Sequence, residues 1–148
     1  MSTWLITHAS CLAHDTGPGH PESAARLQAV LDRLSQPDFS ALSRHEAPQA
    51  TREQLGRVHD PAYVEAILKR IPAAGLREID GDTVVGPASG EAALRAAGAA
   101  VAAVDAVMSG RTQRAFCAIR PPGHHAEPGT AMGFCLFNNI AVAAAHAR

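Results

Sequence analysis

Residues 115–125 read AFCAIRPPGHH, an apolar run that leads into two prolines, a glycine and two histidines. The run AFCAI is short and apolar, as expected of a buried strand. Pro121 and Pro122 fix φ, and Gly123 permits backbone angles that other residues avoid, so the loop after the strand is predicted to hold a defined shape. Shaped loops on a rigid scaffold commonly carry functional side chains.

An alanine-rich segment before this strand predicts a long helix that packs closely on a sheet. It begins at Ser89, carries Glu91 in its first turn and reaches a stop signal at Gly110. Residues 4–7, WLIT, are a second strand candidate. A helix followed directly by a buried strand is typical of a doubly wound α/β sheet, and ligands bind such sheets at the carboxyl ends of their strands. The histidine loop is predicted to lie at that edge.

The rest of the chain predicts further helices and few further strands. A polar loop is predicted over residues 77–87 and a helix over residues 140–148, which lacks a stop signal. Because few strands are available to cover so many helices, we expect a single domain over residues 1–148 that is cut in mid-fold. The helix signals are the apolar spacing of Leu27, Val30, Leu31 and Leu34 after Pro21, the capping-box pattern TREQ at residues 51–54, and the stripe Val64, Ile67, Leu68 and Ile71 after Asp60-Pro61.

Composition narrows the classes of function. The formal net charge is −1 and the 13 basic residues are scattered, so no patch for nucleic acid or an anionic membrane is predicted. No apolar run approaches the roughly 20 residues of a membrane helix. The 3 cysteines have no Cys-x-x-Cys spacing, which favours a reducing, cytoplasmic location. Composition says nothing about the oligomeric state.

The adjacent histidines predict proton-transfer chemistry. His124 and His125 could serve as base and acid on one substrate, as hydrolysis of an amide requires. A metal-bound water would be the expected nucleophile, but neither an Asp-x-His pair nor a His-Glu-x-x-His run occurs, so no metal ligand is predicted in this chain. Cys135 is not expected to be a nucleophile, because no dedicated base accompanies it.

Two motifs together resemble the signature of the histone deacetylase family, within the arginase/deacetylase superfamily. They are RPPGHHA at residues 120–126 and MGFCLFNN at residues 132–139. Three earlier segments also resemble the family and occur in its order: GHPE at residues 19–22, HDPAY at residues 59–63 and DGDT at residues 80–83. Together the motifs most resemble those of bacterial class II-like deacetylases and acetylpolyamine amidohydrolases. The resemblance implies the N-terminal part of an α/β fold, a three-layer αβα arrangement with a mainly parallel sheet.

The resemblance also implies roles for individual residues. His124 and His125 correspond to the general base and the general acid or electrostatic catalyst. Gly133 and Phe134 resemble the wall of the acyl-lysine tunnel, Asp82 lies near the substrate-contacting rim, and Arg26 resembles the arginine of the internal acetate channel. Zinc is expected for the complete domain, and the family's ligand motif is expected beyond residue 148. The implied substrate is an acetylated lysine, polyamine or small metabolite.

Alternatives remain at this level. The chain could be a non-catalytic fragment or a pseudoenzyme module without a metal site, and arginase-like manganese chemistry is a weaker third option. His20 and His59 precede helix starts and are expected to bond backbone groups. Asp80 and Asp82 flank Gly81 and are expected to form a turn by local hydrogen bonds.

Overall fold

The computed structural model describes residues 3–148, which form a central parallel sheet, a short hairpin and six helices. A 3₁₀ turn covers Pro37–Phe39. In chain order the elements are β1 Trp4–Thr7, α1 Ser10–Ala13, α2 Ala24–Leu34, β2 Ser43–Glu46, α3 Arg52–Leu55, α4 Pro61–Lys69, β3 Arg77–Glu78, β4 Val84–Val85, α5 Ser89–Met108, β5 Ala115–Cys117 and α6 Asn139–His146.

The parallel sheet has helices on both of its faces. Its strand order is β2-β1-β5, and both pairings with β1 are parallel. Leu5 and Ile6, consecutive in β1, are fully buried and point to opposite faces, since side chains alternate along a strand. Leu5 belongs to an apolar cluster with Leu27 of α2, and Ile6 belongs to one with Ala99 of α5. The predicted three-layer αβα arrangement is therefore confirmed.

Small side chains let α5 pack as closely as the sequence predicts. A Cβ at Gly98 would lie 2.0 Å from the carbonyl oxygen of Pro48, so only glycine fits there. The amide of Ala50 donates to the carbonyl of Leu94, which lies within the helix, at 2.9 Å. The helix ends at Met108. Gly110, the predicted stop, lies two residues further on and has φ 72°.

A second, larger core lies on the side of α5 away from the sheet. It joins α3, α4 and α6 to the segment after the histidine loop, and Leu55, Val64 and Phe137 are among its fully buried members. The capping box predicted at Thr51 is present, with reciprocal bonds between Thr51 and Gln54. These contacts fix the segment that carries Gly133 and Phe134 against the helical layer.

Several elements differ from the sequence-based expectation, among them the short helix α1, which was not predicted. The edge strand β2 was not predicted, because its sequence SRHE is polar and shows no apolar alternation. The predicted loop over residues 77–87 contains the antiparallel hairpin β3-β4. The predicted strand over residues 115–119 is assigned only as far as Cys117, although the amide of Ala118 still donates to the carbonyl of Ile6 at 2.9 Å.

The topology places a cleft at one edge of the sheet. The connection from β1 to β2 carries α2 on one face, whereas the connection from β2 to β5 carries α5 on the opposite face. The loops that leave the carboxyl ends of β1 and β5 therefore separate and leave a crevice, as in other doubly wound sheets. Within residues 3–148, no helix is both long and apolar enough to cross a membrane.

Candidate active site

A cleft of about 400 Å³ opens between the loops that follow β1 and β5. This volume lies in the range typical of small-molecule sites. All 6 residues to which the family resemblance assigned roles line this one cleft. Its complete lining is Pro21, Glu22, Arg26, Asp82, Pro122, His124, His125, Gly133 and Phe134.

The tandem histidines lie side by side in the cleft. Their ring centroids are 4.3 Å apart and their planes are inclined by 52°. Both side chains are exposed to solvent, so a substrate can reach both rings. Gly133 lies directly against one ring, since a Cβ built there would be 2.8 Å from Cδ2 of His125. The imidazole of His125 is therefore confined on one side by backbone.

The N-terminus of α6 anchors the histidine loop at both ends. On the near side, a Cβ at Gly123 would lie 2.2 Å from the side chain of Asn139, and the amide of Ile140 donates to the carbonyl of Gly123 at 3.1 Å. On the far side, the side-chain NH₂ group of Asn138 donates to the backbone carbonyl of Ala126 at 2.9 Å. These contacts exclude any larger residue at Gly123 and hold the two histidines between two fixed points.

The aromatic wall of the cleft is held by polar contacts at its back. Phe134 has φ 69°, a left-handed conformation that side chains rarely adopt. Its amide donates to the Oγ1 of buried Thr83 at 3.2 Å, and its ring packs edge-on to the ring of His20 at 4.8 Å. His20 in turn bonds the carbonyl of Asp82 through Nε2 at 2.8 Å. His20 thus bonds backbone, as its sequence context predicted.

Arg26 and Asp82 lie on the border of the cleft. The side chain of Arg26 is 67% exposed, and its Nη2 lies 3.9 Å from Oε1 of Glu22. Arg26 also borders a second cavity, of about 150 Å³, which continues along β5. Asp82 belongs to the predicted turn, which is confirmed, because the Oδ1 of Asp80 accepts from the amides of Asp82 and Thr83 at 3.1 and 2.9 Å.

His59 also bonds backbone as predicted. Its Nδ1 bonds the carbonyl of Pro128 at 3.2 Å, and its Nε2 accepts from the amide of Asn138 at 2.9 Å. The ring is buried, and this burial lowers its pKa. His59 therefore connects α4 to the segment after the histidine loop and does not face the cleft.

A buried charged cluster beneath the cleft was not found from the sequence. Arg120 and Glu22 form a bidentate ion pair, and both side chains are almost fully buried. His14 lies beside them, and burial, followed by the charge of Arg120, lowers its pKa to about 4. The partners are 98 residues apart, and a charge next to a proline resembles an ordinary surface residue. No local pattern could have revealed this contact.

The described residues do not provide a metal centre. Within residues 3–148, no group of 3 or more histidine, cysteine, aspartate or glutamate side chains is arranged to hold an ion. Zinc sites use three or four such ligands, so the donor set of this part of the chain does not fit zinc. Cys135 is buried, and its Sγ donates to the carbonyl of Gly133 at 3.3 Å.

Comparisons with known proteins agree on one family. The model of the histone deacetylase domain matches residues 20–148. The chain is 38% identical to polyamine deacetylase HDAC10 of Homo sapiens, with all of this chain and 24% of that protein covered. It is 41% identical to the histone deacetylase-like amidohydrolase of Pseudomonas aeruginosa, with 90% of this chain and 40% of that protein covered.

A solved structure shows the same fold. The crystal structure of the HDA15 HD domain superposes with a TM-score of 0.87 at 31% identity, covering 99% of this chain and 43% of that one. The chain thus spans less than half the length of each of these three proteins. With the signature loop, the three-layer fold and the matched residues in agreement, the chain belongs to the histone deacetylase domain family.

Proposed function

We propose that this chain forms the tandem-histidine side of a deacetylase site, within one domain, that hydrolyses the acetyl-amide of an acylated amine. The observation that carries this proposal is the convergence of both imidazoles with the wall residues in one cleft of about 400 Å³. Two solvent-accessible rings 4.3 Å apart can both reach one scissile amide. Membership of the deacetylase family supports the same reaction.

Six residues of the cleft then have a defined task. One histidine takes a proton from the attacking water, and the other gives a proton to the departing amine nitrogen. Gly133 and Phe134 flank the acyl chain, while Asp82 contacts the substrate at the rim. Arg26, next to the second cavity, supplies a positive charge for the acetate product.

The substrate proposed is an acetylated lysine or an acetylated polyamine. The similarity to a relative named polyamine deacetylase supports the second. A cytoplasmic location is proposed as well, because all three cysteines are free thiols.

We propose zinc dependence for the complete domain, with the ligands supplied by polypeptide beyond residues 3–148, since these residues do not fit the ion. The same observation favours a second candidate function, a non-catalytic module that retains the cleft and binds no metal. Both proposals expect residues 3–148 to bind no zinc by themselves. They differ in whether a polypeptide that also contains the zinc ligands releases acetate.

Zinc titration by calorimetry and an acetate-release assay separate them when both are run on polypeptide extended past residue 148. The assay would use an acetyl-lysine peptide and an N-acetylated polyamine as substrates. Turnover with stoichiometric zinc binding by the extended polypeptide, lost in a His124→Ala/His125→Ala variant, would establish that the tandem histidines take part in deacetylation. Absence of both zinc binding and acetate release in the extended polypeptide would establish the non-catalytic module.

A further inference from the structure

We propose that the buried ion pair of Glu22 and Arg120 positions the tandem histidines. Glu22 and Arg120 are then positioning residues for the reaction proposed above. A positioning role in catalysis rests on the proposed function. Whether the ion pair fixes the positions of the His124 and His125 rings can be tested without measuring turnover.

The guanidinium of Arg120 is occupied by the protein itself. Its Nε and Nη2 donate to the two carboxylate oxygens of Glu22 at 2.5 and 2.9 Å. Its Nη1 donates to the carbonyls of Cys11 and His14 at 2.8 and 2.9 Å. These contacts use four of the five N–H donors of an arginine, and the side chain is only 1% exposed. Arg120 therefore does not serve as a substrate ligand.

The position of Arg120 in the chain transmits this anchoring to the histidines. Only Pro121, Pro122 and Gly123 separate it from His124. Each proline ring fixes one backbone torsion, and Gly123 is held against α6 by Asn139. Few soft torsions remain between the fixed guanidinium and the first imidazole. A displacement of Arg120 is therefore expected to displace the first residues of the histidine loop.

Glu22 connects the same anchor to the opposite wall of the cleft. It follows β1, lines the cleft and lies 3.9 Å from the guanidinium of Arg26. Because the carboxylate of Glu22 is paired in bidentate fashion with Arg120, its negative charge is largely compensated. The ion pair thus ties the loop after β5 to the loop after β1, the two segments between which the cleft opens.

His14 extends the network to the start of α5. Its Nδ1 bonds the hydroxyl of Ser89 at 2.6 Å, and that hydroxyl oxygen accepts from the amide of Gly86 at 2.8 Å. The other ring nitrogen of His14, Nε2, lies 3.6 Å from Oε2 of Glu22. His14 therefore connects the carboxylate of Glu22 to the residues at the start of α5.

Two variants separate positioning from folding. In Arg120→Lys the charge remains, but an ammonium cannot reproduce the planar fork that grips both oxygens of Glu22. In the double variant Glu22→Leu/Arg120→Met the pair is replaced by apolar side chains, an exchange that buried ion pairs often tolerate without loss of stability. A matched control is Arg95→Lys, because Arg95 also bonds a carboxylate, of Glu91, and a backbone carbonyl but does not line the cleft.

Imidazole NMR spectra of this chain give the readout. We expect both folded variants to shift the ring signals of His124 and His125 and to weaken the cross-peaks between the two rings. The ring signals of His45 and His146, which lie outside the cleft, should remain in place, and Arg95→Lys should resemble the unmodified chain. Unchanged His124 and His125 signals in a folded variant would overturn the inference. Loss of the fold in both variants would also overturn it, since the pair would then serve folding alone.

Discussion

The ring of His125 rests on the backbone of Gly133, so closely that a single methyl group at Gly133 would lie 2.8 Å from Cδ2 of the imidazole. The second motif of the family signature thus shapes the first, although seven residues separate His125 from Gly133. Gly133 also has φ 57°, a left-handed conformation that L side chains rarely adopt. Steric and backbone requirements coincide at this one glycine.

The Gly133→Ala variant should therefore be destabilised and should displace His125. The left-handed conformation alone costs about 1–2 kcal/mol for a residue with a Cβ. Urea denaturation would measure this loss, and the ring signals of His125 would report the displacement.

Gly75→Ala is the matched control for that variant. Gly75 has φ 68°, but nothing lies within 4 Å of a Cβ built there. It should lose similar stability and leave the His125 signals unchanged. Identical His125 spectra in the two alanine variants would show that the ring does not depend on Gly133.

Because the pKa of His14 is lowered, we expect the free energy of unfolding to fall as the solution becomes acidic. Burial lowers its pKa from 6.5 to about 4, so between these values the unfolded chain binds a proton that the folded chain excludes. Stability is then complete above pH 6.5 and declines toward pH 4, by about 3 kcal/mol at 1.36 kcal/mol per unit of pKa. Urea denaturation between pH 7 and pH 4.5 would measure the slope.

The His14→Gln variant should flatten this dependence, because glutamine does not titrate. His59, whose pKa is also lowered by burial, acts in the same direction and leaves a residual slope. A slope equal to that of the unmodified chain would mean that His14 is not the titrating group.

Asn138 should stabilise both α6 and the end of the histidine loop. Its side-chain oxygen accepts from the amide of Ala141 at 3.0 Å as an N-cap, and its NH₂ group donates to Ala126. Asn138→Ala should lower the free energy of unfolding by about 1 kcal/mol for the cap and more for the lost second bond.

Asn138→Asp divides these two contributions, because aspartate keeps the capping oxygen but has no N–H to donate. Thermal unfolding should place it between the unmodified chain and Asn138→Ala. Equal melting temperatures for Asn138→Asp and Asn138→Ala would mean that the bond to Ala126, and not the cap, supplies the stability.

In any form of the protein that releases acetate, His125→Ala should reduce kcat by about 10²–10⁴-fold, the range typical of general acid–base catalysis. Steady-state kinetics on an acetyl-lysine peptide would measure it. His45→Ala is the control, because His45 stacks on Trp4 at 3.6 Å, lies in β2 and does not line the cleft. Near-normal kcat in His125→Ala would contradict the role proposed for the tandem pair.

The sequence predicted the elements whose signals are local. The apolar spacing in α2 and α4, the capping box at Thr51 and the stop at Gly110 each depend on neighbours within a few residues, and each is confirmed. The signature motifs likewise indicated residues that do share one cleft.

What the sequence did not predict depends on distant partners. The polar strand β2 forms because its backbone pairs with β1, a contact that side-chain pattern does not encode. The pair of Glu22 and Arg120 looks like two surface charges until the fold buries them together. The neutral state of His14 follows from that burial and has no sequence signal of its own.

The cleft exists only where β1 and β5 run side by side, because Glu22 follows one strand and His124 follows the other. Partial unfolding that separates these two strands therefore abolishes the cleft. A molecule that occupies the cleft therefore stabilises the native sheet by mass action, and its concentration raises the melting temperature of the whole chain. Occupancy and folding are thermodynamically linked here, so a thermal-shift screen of acetylated amines reports binding without any need for turnover.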